Sequence, residues 1–130
     1  MSTFRIIRPI DLRPKPSKYE ERVAELCAEW FQSDIGFVVR GPHTSPDILV
    51  VRTNQFWEIK NIRGCGKHTI EDNLRKASKQ SQKIIISLLV SAKMNTRTAE
   101  GRIKQVLQAG RMPIKHVLLI TKTEKIIDVK

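Results

Sequence analysis

From Ile84 the chain reads Ile-Ile-Ile-Ser-Leu-Leu-Val, a run in which only Ser87 is polar. A strand with apolar residues at consecutive rather than alternate positions is buried on both faces. It belongs in the interior of a sheet with helices packed above and below, which directs the chain to an α/β class. The same run is too short and too interrupted to cross a bilayer.

The flanking sequence supplies the helices and the other strands. Val23, Leu26, Cys27, Trp30 and Phe31 recur at helical spacing from Lys18 to Gln32. Glu20, one turn before Val23 and Ala24, falls near the buried edge of that helix, whereas Glu21, Glu25 and Glu29 face water. A second helix starts with Thr69 as N-cap and turns Ile70, Leu74, Ala77 and Ser81 inward, with Glu71 and Asp72 placed to favour the helix dipole. A third runs from Thr96 to Ala109 and ends at Gly110 and Pro113. Short strands are expected at 37–40, on either side of Thr53-Asn54, and over 116–121 and 125–129. The order is helix, three strands, helix, strand, helix, strand, strand: a mixed sheet flanked by helices. Residues 1–17, with Pro9, Pro14 and Pro16 among Arg5, Arg8, Arg13 and Lys15, read as a basic arm or linker, and 18–130 as one domain.

Three charged residues stand out against the apolar hairpin: Asp47 after Pro46, and Glu58 and Lys60 in Trp57-Glu58-Ile59-Lys60. A two-residue loop at Thr53-Asn54 would set Lys60 opposite Asp47 and Glu58 opposite Leu49, with all three charges on one face. Thr-Asn lacks the usual hairpin signature, and a three-residue loop would need a bulge to restore that facing. Taken singly, Glu-x-Lys is an ordinary solvated strand face and an Asp after Pro begins a turn. Together, two carboxylates in a small space call for a cation between them, and oxygen ligands with open positions suit Mg²⁺ or Mn²⁺, with Zn²⁺ as an alternative. A lysine beside them orients a phosphate or a water, which completes the parts for metal-assisted phosphodiester hydrolysis.

The charge balance points to a polyanion. The chain carries 24 Lys and Arg against 13 Asp and Glu, a formal charge of +11, and each phosphate neutralised by such a side chain releases condensed counterions. From Lys60 to Lys83 the bases are Lys60, Arg63, Lys67, Arg75, Lys76, Lys79 and Lys83, against the acids Glu71 and Asp72. Arg63, Lys67, His68, Arg75, Lys76 and Lys79 are the candidate contacts to nucleic acid, positioning a strand without reading bases. Aromatic residues are sparse, which favours recognition of backbone and shape over extended stacking. Cys27 and Cys65 have no metal-binding or disulfide spacing; Cys27 packs on a helix and Cys65, between glycines, is exposed. No signal peptide is expected at the N-terminus, because Arg5 and Arg8 are followed by prolines and charges rather than an apolar core.

The order of a leading helix with Glu20, a strand with Pro46-Asp47, the strand Glu58-Ile59-Lys60, a helix and a following strand resembles the PD-(D/E)XK nuclease superfamily, over residues 19 to about 90. Within it, Trp57-Glu58-Ile59-Lys60, Thr69-Ile70, Ala77-Ser78-Lys79-Gln80-Ser81, Ile84-Ile85-Ile86 and Thr121-Lys122 look most like the C-terminal nuclease toxin domains of contact-dependent inhibition and polymorphic toxin proteins. The resemblance implies a restriction-endonuclease-like fold with Asp47, Glu58 and the Ile59 carbonyl as metal ligands. Lys60 would position water or phosphate, Glu20 would join through water or a second ion, and Gln80 would be a polar helix residue added to the site. It further implies a ribonuclease acting on transfer RNA in the cytoplasm of a target cell, delivered as the C-terminal part of a larger secreted protein. A cognate immunity protein with an acidic face would then be its partner. Asn61-Ile62 departs from the Ser-Pro that follows the lysine in many toxin relatives.

Other readings share these residues. A DNA endonuclease of the Holliday-junction resolvase or restriction type carries the same acids and lysine. A metal-independent ribonuclease would draw on His43, His68 and His116, though no spacing brings them together, and a non-catalytic nucleic-acid-binding module would use the carboxylates structurally.

Overall fold

The computed structural model describes residues 3–10, 15–39, 46–91 and 93–130. Among these, the elements run β1 (Ile6–Ile7), α1 (Lys18–Phe31), β2 (Ile35–Phe37), β3 (Ile48–Val50), β4 (Gln55–Asn61), α2 (Thr69–Ser78), β5 (Lys83–Ser87), α3 (Thr96–Ala109), β6 (His116–Ile120) and β7 (Ile126–Asp128). The strands form one seven-stranded mixed sheet in sequence order. β4, β5 and β6 are parallel to one another, and antiparallel pairs β2–β3, β3–β4 and β6–β7 flank them.

Consecutive apolar residues on β5 and β6 divide between two cores, as a doubly covered strand requires. Ile85, Leu118 and Ile120 face α1 together with Val23, Cys27 and Trp57. Ile84, Ile86, Val117 and Leu119 face α2 and α3 together with Ile70, Leu74 and Ile103. The expected α/β architecture of a mixed sheet between helices is therefore present, with β5 in its interior.

Several local expectations change. Part of the proline-rich arm is a packed element: Ile6–Ile7 pairs in parallel with β2, and Arg8 forms an ion pair with Glu21. Proline fixes its own φ but leaves the preceding residues free to join an edge strand, so composition alone missed this. β2 begins at Ile35 rather than at Phe37, and Arg40 and the 41–45 loop, with His43, lie outside the described residues. His68 rather than Thr69 is the N-cap of α2, and the helix ends at Ser78, so Ser81 lies beyond it. Trp30, expected inward, is 45% exposed, and the small residues Ala24 and Ala28 take the buried positions instead. Cys27 is buried, which raises its thiol to about 12, and Cys65 is exposed, both as expected. α3 spans the expected residues, capped by Asn95 and closed by Gly110, whose φ of 64° is left-handed.

Candidate active site

The hairpin that carries the acids has a longer turn than Thr53-Asn54. Val50 pairs with Gln55, Leu49 with Phe56 and Ile48 with Trp57, so four residues, 51–54, make the turn, with Asn54 at φ 55°. This register is shifted by two from the expected one, and a shift of two leaves every side chain on its original face. Asp47 consequently lies beside Trp57 and Glu58, not opposite Lys60. Its backbone is fixed from both sides: its N–H donates to the Trp57 carbonyl at 3.1 Å, and its carbonyl accepts from the Val38 N–H at 3.0 Å. Its carboxylate Oδ2 accepts from the Ile59 N–H at 2.8 Å. Asp47 thus straddles Glu58, holding the strand on either side of it.

Glu58 is 3% exposed, projecting from β4 on the α2 face alongside Lys60, whose Nζ stands 3.4 Å from Glu58 Oε2. Gln80, one residue past the C-cap of α2, faces the same carboxylate. With its amide nitrogen turned inward it donates to both Glu58 oxygens, at 2.8 Å to Oε1. Two contacts set Gln80 there: its N–H bonds the Ala77 carbonyl at 2.9 Å, and the Ser81 hydroxyl donates to the Phe56 carbonyl at 3.0 Å, tying the end of α2 to the start of β4. Asp47, Glu58, Lys60 and Gln80 are therefore brought together.

Burial and the neighbouring Asp47 carboxylate push Glu58 up to about 8, against the pull of the Lys60 ammonium. Crowded carboxylates respond in this way when no cation lies between them. The available donors are the Asp47 and Glu58 oxygens and the Ile59 carbonyl, which leaves its strand on the same side as the N–H held by Asp47. Among the described residues no three His, Cys, Asp or Glu side chains form a metal-binding group. An all-oxygen set completed by water fits Mg²⁺ or Mn²⁺, and among the described residues the site offers none of the nitrogen or sulfur ligands that zinc prefers.

Glu20 has a different engagement. It is the N3 residue of a capping box: Ser17 Oγ accepts from the Glu20 N–H, and Glu20 Oε1 accepts from the Ser17 N–H, both at 3.2 Å. Among the described residues no hydrogen bond or ion pair joins it to Asp47 or Glu58, and the α1 cap accounts for an acid at that position.

The basic residues divide as well. Arg63 and Lys67 lie in the loop that leaves the carboxyl end of β4, and that loop is held by Arg102 of α3, whose Nη1 donates to the Gly66 carbonyl at 2.6 Å. Nothing local in the sequence marked Arg102, since its partner Gly66 lies 36 residues away in the chain. Arg75 is drawn to Glu71 at 3.6 Å and Asp72 at 3.5 Å, which reduces its availability to a phosphate. His68 stands 3.9 Å from Glu71. Lys76 and Lys79 have no carboxylate partner among the described residues. Lys83 turns to the opposite face, 5.7 Å from the centre of the Trp57 ring. His116 pairs with Asp128 at 2.9 Å and packs on Trp57, apart from His68.

A protein-family model described as the contact-dependent growth inhibition CdiA C-terminal domain matches residues 44–126, which include Asp47, Glu58, Lys60 and Gln80. Among solved structures, the chain is similar to the CdiA-CT/CdiI toxin and immunity complex from Burkholderia pseudomallei, with a TM-score of 0.61 over 97% of this chain and 98% of that chain. At 18% sequence identity that likeness is one of fold. No curated protein sequence matches the chain.

Proposed function

Since the chain belongs to the contact-dependent growth inhibition CdiA C-terminal domain family, toxin domains of that system, we propose that it is a metal-dependent endonuclease that hydrolyses RNA, transfer RNA above all. The observation that carries the proposal is the buried Asp47–Glu58 pair, with Lys60 3.4 Å from Glu58 and Glu58 lacking the charge compensation that would keep it ionised. Displaced pKa values of this kind cluster at functional sites, where crowded carboxylates are set to their task.

Asp47, Glu58 and the Ile59 carbonyl would hold the divalent cation. When bound, it would supply positive charge to the scissile phosphate and acidify a water at neutral pH. Lys60 offsets the negative charge that develops on the phosphate and orients the attacking water. Gln80 directs the Glu58 carboxylate by donating to it, and the Ile59 N–H does the same for Asp47, so both acids are held before substrate arrives. Arg63, Lys67, Lys76 and Lys79 draw the backbone of the nucleic acid to that face. A cognate immunity protein is the proposed inhibitor, as the toxin and immunity complex among similar structures supports, with an acidic face to meet the basic one of this chain. Delivery from a neighbouring bacterial cell and action in the recipient cytoplasm complete the proposal.

The test is incubation of the purified chain with total transfer RNA and with plasmid DNA, with Mg²⁺ and with EDTA, alongside Asp47→Ala. Cleavage of RNA that stops with EDTA and with the variant is expected. Cleavage of plasmid alone would overturn the substrate, and activity that persists in EDTA would overturn the metal.

A further inference from the structure

A cleft of about 270 Å³ opens where the first turn of α1 meets the β6–β7 turn, lined by Lys18, Tyr19, Arg22, Leu89, Lys122 and Glu124. Its place in the sheet is informative. Leu89 lies just past the end of β5, and Lys122 just past the end of β6. Lys60 and the loop with Arg63 and Lys67 stand at the end of β4, parallel to both. The cleft and the Arg63–Lys67 loop thus share the carboxyl edge of the parallel strands, where open α/β sheets receive ligands, whereas Glu58, paired with Ile84 at the start of β5, and Gln80 lie nearer the amino end. The cleft lies on the α1 face of the sheet, and Glu58 and Lys60 lie on the α2 face.

The lining is unbalanced in charge. Arg22 binds Glu124 through its guanidinium, which takes up the one acid in the cleft. Lys18 and Lys122 are left with no carboxylate partner among the described residues. Lys18 Nζ sits 5.1 Å from the centre of the half-buried Tyr19 ring, over one of its faces. Two ammonium groups beside an aromatic ring and a leucine fit a phosphate joined to a flat, partly apolar ring system. The volume is close to the about 300 Å³ at which small-ligand sites begin, room for a single nucleotide.

We propose that this cleft receives one unpaired nucleotide of the RNA substrate, its base stacked on Tyr19 and its phosphate held by Lys18 and Lys122. Arg22, fixed by Glu124, is a positioning residue that keeps α1 against the β6–β7 turn. The strand then crosses the carboxyl edge, with basic side chains on both sides of the sheet. A single stacked base is in keeping with the scarcity of aromatic residues, since one ring suffices. This inference rests on the nucleic-acid reading above, and its test separates the two.

Tyr19 is the one tyrosine of the chain, so protein carrying ring-labelled tyrosine gives a single set of ring signals by NMR. A short single-stranded RNA of mixed sequence is titrated into the full chain in EDTA, and affinity is measured by fluorescence anisotropy at several salt concentrations. The Tyr19 ring signals are expected to move upfield and saturate. Lys18→Ala with Lys122→Ala should weaken binding about tenfold and make the salt dependence shallower by about 0.7, the contribution of one phosphate on a single strand. Tyr19→Phe should keep the affinity, and Tyr19→Leu should lose it severalfold. RNA that binds and is cleaved while the Tyr19 signals stay still would overturn the cleft alone. A saturable Tyr19 shift in a protein that cleaves nothing with Mg²⁺ would uphold the cleft and overturn the nuclease. Absence of RNA binding would overturn both.

Discussion

The Asp47 carboxylate accepts the Ile59 backbone N–H at 2.8 Å, so one candidate metal ligand is built into the strand that carries the other. An aspartate in this position has two separable tasks: it satisfies a buried main-chain donor, and it supplies negative charge beside Glu58.

Substitution separates those tasks. Asp47→Asn keeps an oxygen for the Ile59 N–H and should leave thermal stability nearly unchanged, yet lower the cleavage rate at least a hundredfold by removing a charged ligand. Asp47→Ala also strands the buried N–H, which costs about 1–3 kcal/mol. Melting curves and single-turnover rates on both variants check this. Equal stability losses for Asn and Ala would show that the hydrogen bond has been misassigned.

Without a cation, the protein should become less stable as pH rises. Glu58 ionises at 4.5 when unfolded and at about 8 when folded, so between those values the folded state holds a proton that the unfolded chain has released. The resulting stabilisation is full below pH 4.5 and is lost progressively as pH climbs to about 8. Melting temperatures in EDTA should therefore fall across this range, and Glu58→Gln, which cannot ionise, should remove most of the fall. Because a cation must displace the same proton, calorimetry in buffers of different ionisation enthalpy should show proton release on Mg²⁺ binding near pH 7, diminishing above pH 8.

Glu20 offers a sharp contrast with Asp47. Glutamine also completes a capping box, so Glu20→Gln should keep both stability and activity, whereas Glu20→Ala should cost about 1 kcal/mol of stability. A large loss of cleavage in Glu20→Gln, with an unchanged melting temperature, would return this residue to the metal site.

The loop with Arg63 and Lys67 depends on a distant helix. Arg102→Ala removes the donor to the Gly66 carbonyl and should weaken RNA binding severalfold without altering the metal-binding isotherm. Arg63→Ala should reduce the salt dependence of binding by about one contact's worth. Unchanged RNA affinity in Arg102→Ala would detach the loop from substrate binding.

The two-sided burial of β5 was legible because an apolar run at consecutive positions has few alternatives, and it dictated helices on both faces. The facing of Asp47, Glu58 and Lys60 was legible for a related reason: a strand has period two, so even a register displaced by two kept them together. What one residue says about a turn is weaker. Asn54 accepts a left-handed φ in a two-residue or a four-residue turn alike, and the actual length emerges from cross-strand pairing. The same holds for Glu20, where capping and metal ligation both call for an acid in the first turn, and only the Ser17 contacts distinguish them. Arg102, like β1, acts through contacts remote in sequence, which no local pattern encodes.

The most direct test of the account is anomalous diffraction at the manganese edge from crystals of this chain soaked in Mn²⁺. A peak bounded by Asp47, Glu58 and the Ile59 carbonyl, lost in Glu58→Gln, is the predicted result. Well-ordered Asp47 and Glu58 side chains sharing a proton at full Mn²⁺ occupancy elsewhere, with no peak between them, would contradict it.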